Sequence, residues 1–364
     1  MKEGAMAQAK GKGRILVGVG IVVVVLCAAA FAFDRYALAT TYARHEEPSV
    51  SLLPSYEMYE RDYPRSDVQF ELNGRVLRGH VYGQDNDRGL IIFRHGIFSQ
   101  HEHYLPFITA MADKGWRVFA YDAIGCGDSD GDSALGMSQS PIDVAAAVDF
   151  ARESGMAEGM RIGLWGHSWG GYGVAAALAK RPDDVSACVT MSGFDTPMKI
   201  LDSSAASAYG LAGKAQWPFL WLNTAIDFGS DANLSASDAI VSSGVPTLVF
   251  HGTGDTTVPY EGVSILHALQ QRDASLAQAR ISLTTLSQEG RCGHNDYFYG
   301  PESQAYLQEC AADLEELLAQ AGENPDDPAV RAYLEGVDLR RANTADPEIV
   351  ATIDAFFGET LSQR

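Results

Sequence analysis

Residues 161–173 of this 364-residue chain read RIGLWGHSWGGYG, and they indicate how the chain folds around them. An apolar run ends in Gly-His-Ser-Trp-Gly, and small residues and alanines follow it. The apolar run predicts a buried strand, and the alanine-rich continuation predicts a helix over 171–181. Gly166 and Gly170 flank Ser168 and predict a tight turn between the two elements, because a side chain at either position would collide across that turn.

Strands alternate with helices on both sides of this turn. Eight segments have the pattern of strands, at 68–72, 76–83, 89–96, 116–122, 161–168, 186–193, 246–252 and 281–288. Helical patterns occupy 103–115, 141–155, 171–181, 260–271, 301–321 and 346–360. This alternation predicts an α/β fold with a mainly parallel, doubly wound sheet. The first two strands flank Asn73-Gly74, a hairpin signal, so we expect an antiparallel edge at the N-terminal side of the sheet.

A serine at a Gly-x-Ser-x-Gly turn between a strand and a helix is the pattern of a nucleophile elbow. The hydroxyl is a weak nucleophile at neutral pH, and it needs a base that is oriented by an acid. Asp255 and His294 each lie just past the end of a later strand. We therefore expect Ser168, Asp255 and His294 to form a catalytic triad. Asp195 follows the preceding strand and is the rival to Asp255 as the acid.

Acyl chemistry also needs hydrogen-bond donors for an oxyanion. One is the backbone N–H of Trp169, the residue after the nucleophile. The second is expected from the loop that follows the third strand, where His95-Gly96 turns the chain so that the N–H of Ile97 points toward the same place. The side chain of His95 is expected to pack in this loop without a catalytic role.

Four sequence blocks carry a family resemblance. They are HGIFS (95–99), DAIGCGDS (122–129), GHSWGG (166–171), and HGTGDTTVP (251–259) with GHNDYF (293–298). From about Val68 to Phe298, the chain resembles the α/β-hydrolase superfamily, and within it the branch of monoacylglycerol lipases, serine aminopeptidase-like proteins and similar esterases. The resemblance implies a helical cap at residues 195–245, where the strand–helix alternation breaks. It does not extend to the N-terminal segment or clearly to residues 322–345.

The reaction implied is acyl transfer to water through an acyl-enzyme, with no metal and no organic cofactor. The cap contains QWPFLWLNTAIDFG (216–229), which suits a hydrophobic acyl group or packs the cap onto the core. An ester of a lipid-like or other hydrophobic acid is the first expectation. A peptide or amide is the second, because the cap offers acids for a substrate ammonium, at 195, 202, 227, 231 and 238. A pseudo-hydrolase that binds a ligand without turnover is disfavoured by the complete triad.

The segment 15–33, ILVGVGIVVVVLCAAAFAF, carries no charge and is long enough to span a bilayer. Basic residues dominate 1–14, so this tail is expected in the cytoplasm and the rest of the chain outside. We expect a single-pass anchor at the cell membrane, a stalk at 34–66 and a hydrolase domain at 67–364. The alternative is a cleaved signal peptide, because Ala30-Phe31-Ala32 and Ala37-Leu38-Ala39 have the small-x-small form of a cleavage site, and the domain would then be secreted.

Charge and cysteine content limit the remaining function classes. The formal net charge of −20 disfavours nucleic acid as a partner, because phosphate binding needs clustered Lys and Arg. No zinc spacing of Cys and His occurs, and His101-Glu102-His103 has no evident third metal ligand. An oxidising location would permit a disulfide, and Cys292–Cys310 is the first pair to check.

Overall fold

The computed structural model describes the backbone of residues 2–272 and 280–361, and the side chains of these residues from Ile15 onward. Eight strands form one sheet in this structure. The strands are β1 (Arg65–Leu72), β2 (Arg75–Tyr82), β3 (Leu90–Arg94), β4 (Arg117–Tyr121), β5 (Ile162–His167), β6 (Ala187–Met191), β7 (Thr247–Gly252) and β8 (Ile281–Leu286). Their order in the sheet is β1-β2-β4-β3-β5-β6-β7-β8. The pairs β1–β2 and β2–β4 are antiparallel and the others are parallel, which confirms the predicted sheet with its antiparallel edge.

Helices cover both faces of this sheet. The first eight are α1 (Lys2–Thr41), α2 (Leu105–Asp113), α3 (Ser140–Glu153), α4 (Trp169–Ala177), α5 (Pro197–Tyr209), α6 (Leu211–Ala215), α7 (Trp217–Phe228) and α8 (Ala236–Ser243). Later helical segments are Tyr260–Val263, Ile265–Gln270, Pro301–Gln320, Pro328–Gly336, Leu339–Ala342 and Pro347–Leu361. One apolar layer contains side chains of α3, α4 and α8, and the other contains those of α2 and Pro347–Leu361. Burial on both faces explains why β3 and β5 are apolar without alternation.

The predicted cap is a helical insertion between β6 and β7, made of α5 to α8. Thr196 begins α5, because its hydroxyl accepts a hydrogen bond from the Lys199 backbone N–H and Pro197 occupies the first turn. Ser235 caps α8 in the same way, and Gly244 ends α8 in a left-handed conformation. Local capping signals therefore define where the cap leaves and rejoins the sheet.

One helix in the described part of the chain is long and apolar enough to cross a membrane, and it comprises Ile15–Thr41 of α1. None of its apolar window is buried within the structure. The helix continues past Phe33, where the uncharged run ends, as far as Thr41.

The segment 34–66, expected to be a polar stalk, packs against the domain at several points. Tyr42 and Tyr59 are buried, and the Arg44 guanidinium donates hydrogen bonds to backbone carbonyls of residues 127–131. These aromatic side chains gain burial that a fully extended linker would not provide.

Residues 322–345, whose role the sequence left open, form hydrogen bonds with segment 34–66. The Asn343 side chain donates a hydrogen bond to the Leu52 carbonyl at 2.8 Å, and the Arg340 side chain donates to the Met58 carbonyl at 2.9 Å. The C-terminal part of the chain thus holds the segment that connects α1 to β1.

All five cysteines lie among the described residues, and all five are free thiols. Cys310 is buried and Cys292 is partly exposed. The disulfide considered for this pair is therefore absent from the structure.

A buried histidine pair lies beside the antiparallel edge of the sheet. His80 of β2 stacks on His101 with ring centroids 4.3 Å apart, and His101 Nδ1 is 2.9 Å from Asp122 Oδ1. His80, His101 and Asp122 could together hold a metal by geometry, a grouping that the local His101-Glu102-His103 pattern did not reveal. An Arg65 guanidinium nitrogen lies 3.3 Å from His101 Nε2, and its positive charge is unfavourable for a cation there.

The buried His80 gives the fold a predicted pH dependence. Burial, together with the charges of His101 and Arg65, lowers the pKa of His80 from 6.5 to about 4. The unfolded chain therefore binds a proton at His80 more readily, so the stability is complete above about pH 6.5 and falls as the pH drops toward 4. The full shift corresponds to about 3 kcal/mol.

We expect the detergent-solubilised chain to have a lower urea midpoint at pH 5 than at pH 7, and His80→Asn to reduce this difference. His267→Asn, at a partly exposed histidine in Ile265–Gln270, is the matched substitution, and the difference should fall more in His80→Asn than in this variant. An equal pH dependence in His80→Asn and the wild type would contradict the assignment.

Candidate active site

Ser168 stands at the carboxyl end of β5, where the strand passes into α4. Its backbone has φ 56° and ψ −117°, a conformation that costs about 1–3 kcal/mol for a residue other than glycine. The turn is held because the Ser168 N–H donates to the Met191 carbonyl at 2.8 Å and the Ser168 carbonyl accepts from Tyr172 N–H at 2.9 Å. This geometry is that of a nucleophile elbow, which holds a side chain above the end of the sheet.

The two glycines that flank Ser168 are required by close backbone approach. A Cβ atom at Gly166 would lie 2.4 Å from the Gly170 carbonyl oxygen. A Cβ atom at Gly170 would lie 2.1 Å from the Arg94 carbonyl oxygen and 2.6 Å from that of His95. The structure thus confirms the predicted reason for glycine at both positions.

Replacing Gly170 by alanine should therefore destabilise the protein strongly. The clashing atoms belong to the backbone of β3 and its loop, which cannot move without disturbing the sheet, so we expect a loss of about 3 kcal/mol or more. The measurement is urea unfolding at pH 7, with Gly336→Ala as the control because a Cβ atom there meets no atom within 4 Å. A Gly170→Ala protein as stable as Gly336→Ala would refute this packing argument.

Asp255 and His294 meet just past the ends of β7 and β8. His294 Nδ1 lies 2.7 Å from Asp255 Oδ2, and Asp255 Oδ1 accepts hydrogen bonds from the backbone N–H groups of Thr257 at 2.9 Å and Val258 at 2.8 Å. Burial acts to raise the pKa of Asp255, but hydrogen bonds from His251 and His294 outweigh it and hold that pKa well below its ordinary value. An ionised carboxylate only accepts, so His294 Nδ1 carries the proton and leaves Nε2 free to act as a base.

His251 contacts Asp255 and the loop that follows it, a role that the sequence did not predict. Its Nε2 atom lies 2.9 Å from the Val258 carbonyl oxygen and 3.3 Å from Asp255 Oδ2. The only signal in the sequence was its position in the block HGTGDTTVP, four residues before the acid.

Asp195, the other candidate acid, makes its contacts with residues of the cap. Its carboxylate accepts from Lys199 Nζ at 2.8 Å and from the Ser237 backbone N–H at 3.0 Å, so it joins the starts of α5 and α8. The structure thus brings Asp255 to His294 and directs Asp195 into a different set of contacts.

Ser168 is buried and lies in sequence beside His167, whose ring centroid is 4.8 Å from that of His294. Among the described residues, the Ser168 hydroxyl has no hydrogen-bond partner. Catalytic contacts are commonly longer in ligand-free structures than in substrate complexes, so a Ser168 hydroxyl without a partner is compatible with its expected role.

The expected oxyanion donors lie on the loop after β3 and at the start of α4. A Cβ atom at Gly96 would lie 3.5 Å from the Ser168 Cβ atom, which places this loop against the elbow. Within the described part of the chain, neither Ile97 nor Trp169 uses its backbone N–H in a hydrogen bond. The His95 ring is fully buried, with Nδ1 2.6 Å from the Gly96 carbonyl and Nε2 accepting from Ala123 N–H at 3.0 Å.

A buried polar chain connects these loops, and the sequence reasoning missed it. The Tyr104 hydroxyl accepts from Gly96 N–H at 3.2 Å and lies 2.8 Å from His167 Nδ1. His167 Nε2 lies 3.3 Å from the His294 carbonyl. Burial, with the nearby His294, lowers the pKa of His167 well below its ordinary value, so this ring is neutral and can bridge a donor and an acceptor.

Comparison with known proteins gives a family model and several relatives that match part of the chain. A family model described as serine aminopeptidase, S33 (Hydrolase_4) matches residues 85–214. Protein YfhR of Salmonella typhi is 26% identical over 190 residues, which are 51% of this chain and 60% of that protein. The lysophosphatidylserine lipase ABHD12 of Danio rerio is 25% identical over 228 residues, which are 58% of this chain and 55% of the lipase. The chain therefore spans less than two thirds of the length of these relatives.

A solved structure shares the architecture over more of the chain. The esterase Pf2001 of Pyrococcus furiosus superimposes with a TM-score of 0.52 at 19% identity, and the match covers 77% of this chain and 98% of the esterase. At this identity the likeness establishes the fold alone. Together with the strand order, it shows that the chain has the α/β-hydrolase fold.

Proposed function

We propose that this protein is a membrane-anchored serine hydrolase that cleaves esters of hydrophobic acids. The observation that carries the proposal is the contact of 2.7 Å between Asp255 and His294 beside the strained turn at Ser168. An oriented histidine next to a serine on an elbow is the arrangement that activates a hydroxyl for acyl transfer.

In the proposed reaction, Ser168 Oγ attacks the carbonyl carbon of the ester while His294 Nε2 takes the hydroxyl proton. The N–H groups of Ile97 and Trp169 stabilise the negative charge on the carbonyl oxygen. The C–O bond to the alcohol breaks, and His294 gives the proton to the departing alcohol. Water then attacks the acyl-enzyme with His294 as base, which releases the acid and restores Ser168. Asp255 stays ionised and stabilises the imidazolium in both steps.

The charges of the cap favour an ester over a substrate with a free ammonium group. Four of the five cap acids are paired with cations, at distances of 2.8 Å for Asp195–Lys199, 2.5 Å for Asp227–Arg35, 2.8 Å for Asp231–Lys180 and 2.6 Å for Asp238–Arg272. A carboxylate that is already paired offers less attraction to a second cation. The matched relative ABHD12 is named a lysophosphatidylserine lipase, and α7 is rich in apolar side chains. Both observations support a lipid-like substrate.

A substrate panel tests this choice. The full chain in detergent would be assayed with p-nitrophenyl esters of increasing acyl length and with aminoacyl p-nitroanilides. We expect kcat/KM to be at least about 100-fold higher for the preferred ester, a difference of about 2.7 kcal/mol in transition-state binding. Faster turnover of the anilides would favour the second candidate, an aminopeptidase-like activity, which the family model supports.

The anchor is proposed from the length and apolar character of α1 and from the basic residues before it. The uncharged run at 15–33 rises about 28 Å as a helix, close to the thickness of the hydrocarbon core. We propose that residues 1–14 lie in the cytoplasm and the hydrolase domain at 67–364 lies outside.

Membrane fractionation with protease protection on intact cells or spheroplasts tests this orientation. We expect the chain in the membrane fraction and its domain digested by external protease. A domain that is protected until lysis would refute the orientation. A soluble mature protein that begins near Phe33 or Thr40 would support signal cleavage instead.

A further inference from the structure

The cap carries a large apolar surface that faces away from the core. It consists of six side chains, exposed by 61% for Tyr209, 85% for Leu211, 45% for Trp217, 44% for Trp221, 43% for Leu222 and 60% for Ile226. We name this surface the cap apolar face. Exposed apolar side chains that are contiguous, unlike isolated ones, indicate contact with a partner or a membrane.

The pattern within α7 shows that this exposure is systematic. Trp217, Trp221, Leu222 and Ile226 fall on one half of the helix, whereas Leu220, Asn223 and Thr224 fall on the other half and are buried. A surface helix of a soluble domain has the opposite arrangement, with its polar side outward. The half of α7 that packs on the protein thus contains polar side chains, and the half that faces outward is apolar.

The cap apolar face is continuous with α1. The rings of Phe33 and Tyr209 contact edge to face with centroids 6.4 Å apart, and Asn223 Nδ2 donates to the Phe31 carbonyl at 3.3 Å. An ion pair of 2.5 Å joins Arg35 to Asp227 just beyond these contacts. All three contacts meet α1 at the C-terminal end of its uncharged run, which is the level at which a spanning helix leaves the hydrocarbon.

We propose that the cap apolar face inserts into the surface of the same bilayer that α1 crosses, at the boundary between headgroups and acyl chains. This inference rests on the proposed anchor. Tryptophan and tyrosine are the side chains that prefer this boundary, and a helix with one apolar half lies in its plane. The opposite charges of Arg35 and Asp227 neutralise each other at the level where α1 and α7 would leave the apolar part of the bilayer.

The protein's charge sets how this surface binds. With a formal net charge of −20, the chain is not drawn to anionic lipids, so the apolar side chains must supply the attraction. Insertion should therefore occur in purely zwitterionic phosphatidylcholine and should not weaken when salt is added. An ester dissolved in that leaflet would reach the cap without passing through water.

Tryptophan fluorescence offers a direct test, because Trp116, Trp165 and Trp169 are almost fully buried while Trp217 and Trp221 lie on the cap apolar face. The full chain would be reconstituted in phosphatidylcholine vesicles with or without lipid that is brominated along its acyl chains. Bromine quenches tryptophan on contact. We expect brominated lipid to remove roughly a quarter or more of the emission, because two of the five tryptophans are on this face.

The double variant Trp217→Phe/Trp221→Phe is the matched control, because it keeps two aromatic side chains on the face and removes the reporters. We expect its emission to be insensitive to brominated lipid. Equal quenching in the wild type and the double variant, or none in either, would overturn the proposal. If a second copy of the chain covers this face instead, quenching will be absent and cross-linking will capture a dimer.

Vesicle flotation separates this proposal from the anchor on which it rests. The described side chains of α1 include no tryptophan, so insertion of α1 is measured by flotation and insertion of the cap by quenching. A protein that floats without quenching retains the anchor and refutes the insertion of the cap. A protein that does not float refutes both.

Discussion

Ser168→Ala should lose at least about 10⁴-fold in kcat toward the preferred ester, because members of a catalytic triad act as a unit. The loss is chemical, since alanine at this position has no atom that can form the acyl-enzyme. The backbone at φ 56° is no worse for alanine than for serine, so the variant should fold as the wild type does. Initial rates with a p-nitrophenyl ester and thermal unfolding of the same samples provide the two readouts.

Ser192→Ala is a matched control for this variant. Ser192 is also buried, has φ 49°, and follows β6, the strand next to β5. Its hydroxyl lies 2.7 Å from that of Tyr297 and donates to the His294 backbone carbonyl at 3.3 Å, but it is not expected to take part in proton transfer. Its loss should therefore lower stability more than activity, which we expect to stay within about tenfold of wild type. Activity of Ser168→Ala within tenfold of wild type would contradict the assignment of the nucleophile.

Asp255→Asn should lower kcat by about 10³- to 10⁴-fold. The amide can still accept from Thr257 and Val258 with its oxygen, but it then presents an N–H₂ group to His294 Nδ1. His294 would have to carry its proton on Nε2 to accept that donor, and this tautomer cannot take a proton from the serine. The protein should still fold, because the loop keeps its oxygen acceptor.

Asp195→Asn distinguishes the two candidate acids. It removes the charge that pairs with Lys199 and leaves an oxygen for the Ser237 N–H, so the cap is weakened while His294 keeps its partner. We expect kcat within about tenfold of wild type and a lower melting temperature. A fully active Asp255→Asn together with an inactive Asp195→Asn would reverse the assignment.

The sheet and the elbow were predictable because local sequence specifies them. The apolar runs of β3 and β5 indicate burial on both faces of the sheet. The glycines near Ser168 indicate a turn in which backbone atoms approach closely. The positions of Asp255 and His294 followed from the rule that the carboxyl ends of parallel strands meet at one edge of the sheet.

Contacts between distant segments were not predictable in this way. His80 and His101 stack only because β2 pairs with β4 and carries His80 to the loop after β3. Tyr104 reaches His167 through packing of the loop after β3 on the end of β5, and neither residue has a local signal for that contact. The packing of segment 34–66 depends on residues as distant as Arg340 and Asn343, so its polar composition alone, which indicated a stalk, could not reveal these contacts.

Covalent labelling shows directly whether Ser168 is the catalytic nucleophile. A fluorophosphonate transfers its phosphonyl group only to a serine that an adjacent base activates, and peptide mapping by mass spectrometry identifies the residue that carries it. We predict one adduct, on the peptide that contains GHSWGG at 166–171, which is absent in Ser168→Ala and retained in Ser192→Ala. An unlabelled wild-type protein, or an adduct on another residue that persists in Ser168→Ala, would contradict the account.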